Sequence, residues 1–150
     1  GHHAALGLDM QAPLLEILGR LEVKQSGIPV FLQSFEPEIL REIRAQAPHW
    51  PLIQLLPQKS GGPISFAEIA EYADGIGPYK MMGEVAEGGI PAFIQDAHAH
   101  NLAVHPYTFR DDHIGHGYAS IDDEFRTWFA AGVDGLFTDF AHTAFSVRDA

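Results

Sequence analysis

Short apolar runs alternate with amphipathic segments along most of the 150 residues. The runs have the length of strands, and the segments between them carry apolar residues at the three- and four-residue spacing of helices that pack on a sheet. We predict strands at residues 29–35, 51–56, 74–78, 102–108 and 135–140. Helices are predicted at residues 11–23, 37–45, 65–72 and 90–100, from residue 120 and from residue 143, with loops at 57–63 and 110–120 and a helical turn within 79–89.

Strands that are separated by helices favour a parallel sheet with right-handed crossovers. Five such units form either an open sheet or the last five strands of an eight-stranded barrel. A chain of this length is about one domain, whereas a complete (β/α)8 barrel typically needs about 250 residues. The chain also begins at Gly1, without an initiator methionine. We therefore expect residues 1–150 to be one partial domain, excerpted from a longer protein.

The composition narrows the classes of function. There are 20 acidic and 9 basic residues, for a net charge of −11, which disfavours nucleic acid and anionic membranes as partners and suits a divalent cation. Cysteine is absent, so a disulfide, a thiol nucleophile and a cysteine-ligated zinc are excluded. The longest apolar runs are far too short to span a bilayer, and the first residues lack the pattern of a signal peptide.

Polar side chains interrupt the predicted strands from mid-strand onward. Buried parallel strands are expected to be apolar on both faces, and Gln33, His105, Tyr107 and Asp139 depart from this pattern. Strand alternation puts His105 and Tyr107 on one face. Each residue alone could be a satisfied polar group of the core. Together they favour a functional rim, because α/β barrels place their chemistry at the carboxyl ends of the strands.

The other candidate sites are weaker. His98 and His100 are two residues apart on a predicted helix, so their side chains diverge and surface positions are expected. A cation could bind the 110–120 loop, although a mobile acidic loop is the better interpretation of its cluster, Asp111, Asp112, His113 and His116. Residues 74–78 hold two glycines but no phosphate-binding motif follows, and no nucleophile elbow is present. From the residues alone, the chain is part of an α/β barrel with polar groups at one rim.

Four segments carry a family pattern. They are Val-Phe-Leu-Gln-Ser-Phe-Glu at residues 30–36, Ala-Glu-Tyr-Ala-Asp-Gly-Ile-Gly-Pro at 70–78, Val-His-Pro-Tyr-Thr-Phe-Arg at 104–110 and Gly-Val-Asp-Gly-Leu-Phe-Thr-Asp-Phe at 132–140. In this order they resemble the C-terminal portion of the glycerophosphodiester phosphodiesterases, and among these the periplasmic bacterial type. The resemblance covers nearly the whole chain, and its last two segments together are quite specific.

The resemblance implies a TIM (β/α)8 barrel, of which this chain would form strands 4–8. It implies hydrolysis of glycerophosphodiesters to glycerol 3-phosphate and an alcohol, with Ca²⁺ or Mg²⁺ on the phosphate and two histidines as acid and base. The family's catalytic histidines and cation ligands have no match here, so we expect no catalytic residue and no metal ligand in this chain, and no activity of these 150 residues alone. By position, Gln33, His105 and Tyr107 would bind substrate, and Asp139 would lie at the rim.

The chain departs from the family at two rim positions. Ala141 and His142 stand where Pro-Asp is usual, and Tyr79 stands where Asp is usual. Both are rim positions, so they bear on substrate preference rather than on the fold. The expected partners are a small-molecule glycerophosphodiester and the missing N-terminal half of the barrel or a second copy. The expected location is periplasmic or extracellular, and a cytoplasmic location is the alternative. The alternatives are a non-catalytic half-barrel that self-associates or binds a ligand without turnover, and an unrelated hydrolase using the loop with His113 and His116.

Overall fold

The computed structural model describes residues 7, 10–21, 27, 29–58 and 64–149. Within these, strands and helices alternate, which confirms the predicted α/β class. The strands are β1 Leu32–Ser34, β2 Leu52–Leu56, β3 Gly75–Pro78 and β4 Ala103–Val104. The helices are α1 Gln11–Arg20, α2 Pro37–Gln46, α3 Phe66–Ala70, α4 Met81–Val85, α5 Gly89–Ala99, α6 Ile121–Ala130 and α7 Ala141–Arg148. Of the part of the chain that is described, no helix is both long and apolar enough to cross a bilayer.

The four strands form one parallel sheet in the order β1-β2-β3-β4. Leu32 lies opposite Leu52, Ile53 opposite Gly75, and Gly75 opposite Ala103. Each connection between neighbouring strands contains a helix, as parallel pairing requires. All four strands therefore end at the same edge of the sheet.

The second half of the sheet is less regular than predicted. β4 covers only two of the residues 102–108, since Pro106 has no N–H to donate to the ladder; pairing resumes in isolated bridges, such as the one between Tyr79 and Tyr107. Residues 135–140 do not form the predicted regular strand. They run parallel to the preceding segment through the bridge between Phe109 and Thr138 and the bond from Phe137 N to Pro106 O (2.9 Å). With a described neighbour on one side only, this segment makes few ladder bonds.

Two further differences are local. Helix α4 forms within 79–89, where only a helical turn was predicted. Residues 22–23 of the first predicted helix and 59–63 of the predicted loop lie outside the described residues. The assignment of the strands to barrel positions 4–8 stays a prediction.

The main hydrophobic core lies between one face of the sheet and the helices. Its strand residues include Leu52, Leu56, Ile76 and Val104, and its helix residues include Leu40, Ile43, Ile94, Phe125 and Trp128. This burial follows from strand alternation, because every second residue of β2 points to the helices.

The opposite face, here called the inner face, carries the alternate residues. Phe31 and Phe35 of this face pack against the rings of His105 and Tyr107, with ring centroids 5.1 and 6.1 Å apart. β2 and β3 approach closely there: a Cβ at Gly77 would lie 2.6 Å from Leu55 Cδ2. Phe31 is still 47% exposed and Phe35 50%, so the inner face is only partly covered by the residues that the structure describes.

Candidate functional site

A cavity of about 370 Å³ opens at the carboxyl ends of the strands, on the inner face. Its lining combines aromatic, amide, hydroxyl and carboxylate groups: Gln33, Phe35, Leu55, Tyr107, Thr108, Phe137, Thr138 and Asp139. The structure thus brings together three of the four residues that the sequence singled out, namely Gln33, Tyr107 and Asp139. They come from three separate segments, which meet because parallel strands end at one edge. His105 is the exception and is not part of the described lining.

Tyr107 is fixed at the wall of this cavity. Its hydroxyl donates to the carbonyl of Leu56 (2.9 Å), and its ring lies 5.9 Å from that of Tyr79 and edge-on to that of Phe35. Burial, and secondarily Tyr79, raises the pKa of Tyr107 above its ordinary value of 10.0. The phenol is therefore neutral at physiological pH and offers an apolar ring face and a fixed hydroxyl, rather than a base.

Asp139 is held by Arg110, which the sequence analysis did not single out. The guanidinium donates from Nη1 to Asp139 Oδ2, and from Nε and Nη2 to the two oxygens of Asp112 (2.8 Å each). The hydrogen bond from Arg110 holds the pKa of Asp112 below its ordinary value. This trio carries a net charge of one negative unit, and its arginine is already engaged with two carboxylates. The only sequence signal for it was the short spacing between Arg110 and Asp112.

His105 lies deeper than the cavity. Its ring packs edge-on against Phe31, and a Cβ at Gly135 would lie 3.0 Å from its Cδ2, so glycine at 135 leaves room for the imidazole. Burial lowers the pKa of His105 below its ordinary value of 6.5, against a smaller opposing effect of Asp134. The imidazole is thus neutral at pH 7 and acts in packing at this position.

The lowered pKa of His105 predicts a pH dependence of stability. Below about pH 6.5 the unfolded chain binds a proton at this histidine that the folded chain does not, so the free energy of unfolding decreases as pH falls through that range. Replacing His105 with Gln is expected to flatten this part of the profile. The measurement is urea unfolding at pH 5 to 7.5, with the exposed His142→Gln as control; an unchanged slope for His105→Gln would contradict the prediction.

The residues that the structure describes do not assemble a cation site. Among them no group of three His, Asp or Glu side chains is placed to hold a metal ion. His98 pairs with Asp134 (2.8 Å) and His100 with the carbonyl of Asp96 (2.8 Å), so the two histidines have separate partners. In the 110–120 loop, Asp111 accepts a hydrogen bond from Thr143 (2.8 Å). The described residues therefore do not fit the divalent cation that the family resemblance implies.

Comparison with known protein families supplies the context for this geometry. The model of the glycerophosphoryl diester phosphodiesterase family matches residues 5–143. A curated glycerophosphodiester phosphodiesterase from Haemophilus influenzae is 31% identical over 88 residues, which cover 54% of this chain and 24% of that protein. The chain thus spans about a quarter of the length of this curated relative.

Solved structures agree on the fold. A glycerophosphodiester phosphodiesterase from Parabacteroides distasonis has a TM-score of 0.70 at 14% identity. The match covers 93% of this chain and 50% of that protein. A phosphodiesterase from Oleispira antarctica, solved in complex with the product sn-glycerol-3-phosphate, has a TM-score of 0.68 at 19% identity, with coverages of 93% and 49%. These likenesses confirm the expectation of a partial TIM barrel. Together with the family match, they show that the chain belongs to the glycerophosphoryl diester phosphodiesterase family.

Proposed function

We propose that the native protein hydrolyses glycerophosphodiesters to glycerol 3-phosphate and an alcohol, and that this chain supplies one wall of the substrate pocket. The cavity at the carboxyl ends of the strands carries the proposal, since it gathers Gln33, Tyr107 and Asp139 where barrel enzymes hold their substrates. In the reaction water contributes the new P–O bond, the P–O bond to the alcohol breaks, and the alcohol leaves with a proton.

The chemistry of the lining suggests which part of the substrate it contacts. None of the described lining residues is a Lys or Arg, and the trio of Arg110, Asp112 and Asp139 is net negative. A phosphodiester anion is therefore repelled from this wall. The rings of Phe35, Tyr107 and Phe137 instead offer apolar surface to carbon atoms, and Gln33 and Asp139 offer hydrogen bonds to hydroxyl groups. We assign this wall to the glycerol or alcohol end of the substrate.

The phosphate end is assigned to residues other than the described ones. A divalent cation, Ca²⁺ or Mg²⁺, would neutralise charge on the phosphoryl oxygens when bound, with ligands supplied from the rest of the barrel. The half-exposed rings of Phe31 and Phe35 support a native protein in which further strands cover the inner face, because apolar surface of this kind is usually buried in an interface. A periplasmic or extracellular location stays a prediction.

Turnover tests the proposal directly. The native protein is incubated with glycerophosphocholine and with glycerophosphoethanolamine, in Mg²⁺, in Ca²⁺ or in EDTA, and glycerol 3-phosphate is measured. We expect release that EDTA abolishes and a divalent cation restores. A protein that binds no cation and releases no product would instead favour the non-catalytic half-barrel.

Asp139 and Asp112 provide a matched pair of variants, because both accept hydrogen bonds from Arg110 and only Asp139 is among the cavity lining. Replacing Asp139 with Asn is expected to raise KM about tenfold, since the rim loses an acceptor and its charge. Replacing Asp112 with Asn is expected to change KM by less than about threefold. Steady-state kinetics check both; equal effects of the two variants would contradict the assignment of Asp139 to the pocket.

A further inference from the structure

A buried ion pair lies behind the rim of the cavity. Lys80 Nζ is 2.6 Å from Glu124 Oε1, and the two side chains are 4% and 0% exposed. The ammonium also lies 5.2 Å from the centre of the Phe109 ring. Lys80 directly precedes α4 and Glu124 belongs to α6, so the pair joins two helices across the segment that carries Tyr107 and Phe109.

Glu124 also holds the loop of residues 110–120. Its Oε2 accepts a hydrogen bond from the backbone N–H of Gly115 (3.0 Å). A Cβ at position 115 would lie 2.5 Å from Glu124 Oε1, so any other residue there would displace either the loop backbone or the carboxylate. Tyr118 of the same loop is also partly buried: burial, and secondarily the carboxylates of Glu84 and Glu124, raises the pKa of Tyr118 to about 12.

The first residues of the same loop reach the cavity. Arg110 binds Asp139 at the rim, and Asp111 accepts a hydrogen bond from Thr143 of α7. The loop is thus fastened to the interior at Gly115 and to the cavity at Arg110.

A gain in folding stability is a weak explanation for the presence of a buried ion pair. Taking two charges out of water offsets most of their attraction, so an apolar pair of similar volume is often as stable. Breaking the pair from one side is different, because it leaves an uncompensated charge in the interior. The effect of such a pair is therefore tested better on the arrangement of the loop that it holds than on net stability.

We propose that Lys80 and Glu124 are positioning residues for the substrate pocket: by holding the 110–120 loop at Gly115, they set Arg110 and thereby Asp139 at the rim. This inference rests on the proposed function, because it concerns the same cavity. It concerns residues that do not line that cavity and that sequence reasoning did not single out.

The test uses four variants of the native protein. Lys80→Met leaves the buried carboxylate alone, and Glu124→Gln leaves the buried ammonium alone while keeping an acceptor for Gly115. The double variant Lys80→Met/Glu124→Gln is neutral and keeps that acceptor. Arg126→Met is the control, since it breaks exposed ion pairs on α6 with Asp122 and Asp123 (3.8 Å each).

Two readouts are measured, namely steady-state kinetics and amide hydrogen exchange of residues 110–120. We expect each single variant to raise KM about tenfold with kcat within about threefold, and to accelerate exchange in the loop. The double variant is expected to recover both, and Arg126→Met to change neither. Substrate hydrolysis with normal KM and normal loop exchange in the single variants would overturn the inference, even if their melting temperatures fell.

The two readouts keep this inference separate from the proposed function. A wild-type protein without turnover would overturn the proposed function, and the inference about its pocket with it. The wild type could hydrolyse substrate while the double variant keeps the raised KM and the fast loop exchange of the single variants. That result would overturn the positioning role alone, because the unpaired charge would then not explain the effects of the single variants.

Discussion

Replacing Tyr107 with alanine is expected to lower kcat/KM for a glycerophosphodiester about 100-fold, mostly through KM. The variant loses the aromatic wall of the cavity and its contacts with the rings of Phe35 and Tyr79, so Phe35 can also shift. The loss corresponds to about 2.7 kcal/mol of transition-state binding. Steady-state kinetics with glycerophosphocholine measure it, at a temperature where circular dichroism shows the variant to be folded.

Tyr107→Phe is the matched control for this prediction. It keeps the ring and removes only the hydrogen bond to the Leu56 carbonyl, so kcat/KM is expected to stay within about threefold of the wild type. Equal activities of the wild type and Tyr107→Ala would remove Tyr107 from the pocket. An equal, large loss in both variants would assign the effect to the hydroxyl rather than to the ring.

Replacing Gln54 with leucine is expected to lower the free energy of unfolding by about 3 kcal/mol, more than any other variant proposed for this chain. Gln54 is buried on the helix-facing side of β2, and its Nε2 donates to the carbonyls of Ser34 (3.2 Å), Phe35 (3.2 Å) and Leu55 (3.0 Å). Its Oε1 accepts from the hydroxyl of Tyr72 (2.9 Å). Leucine would remove these hydrogen bonds, and a buried group left without a partner, such as the hydroxyl of Tyr72, costs about 1–3 kcal/mol. Urea unfolding of the wild type and the variant measures the difference.

Two further variants show whether this amide network is responsible. Tyr72→Phe in the Gln54→Leu background removes the unpaired hydroxyl of Tyr72. It is expected to raise the free energy of unfolding of the Gln54→Leu variant by about 1 kcal/mol. Gln33→Leu changes the same residue type at an exposed position of β1 and is expected to change stability by less than about 0.5 kcal/mol. Similar losses for Gln54→Leu and Gln33→Leu would contradict the role of the network.

The order of the elements could be predicted because it depends on local periodicity. The apolar run at 51–56 became β2, and the proline at the start of the 37–45 pattern begins α2. The length of the later strands could not be predicted in the same way. Pro106 interrupts the ladder of β4, and residues 135–140 have a described neighbour on one side only, so their pairing depends on tertiary context rather than on their own sequence.

For the candidate site as well, features that depend on local sequence could be predicted and features that depend on distant contacts could not. The grouping of Gln33, Tyr107 and Asp139 at one cavity could be predicted because a polar residue late in a buried strand violates the expected pattern. His105 carried the same signal, but it packs against Phe31 on the inner face and is not part of the described cavity lining. The contact of Arg110 with Asp139 and the pair of Lys80 and Glu124 gave no signal, since these partners are distant in sequence and only the fold brings them together.

Backbone amide NMR of the native protein, titrated with sn-glycerol 3-phosphate, shows whether the described cavity forms a wall of the substrate pocket. If the described cavity is a wall of the substrate pocket, resonances of residues 105–110 and 135–140 shift on titration, while those of α5 do not. Tyr107→Ala would weaken these shifts. Binding that leaves both segments unperturbed would place the substrate pocket elsewhere and exclude this wall.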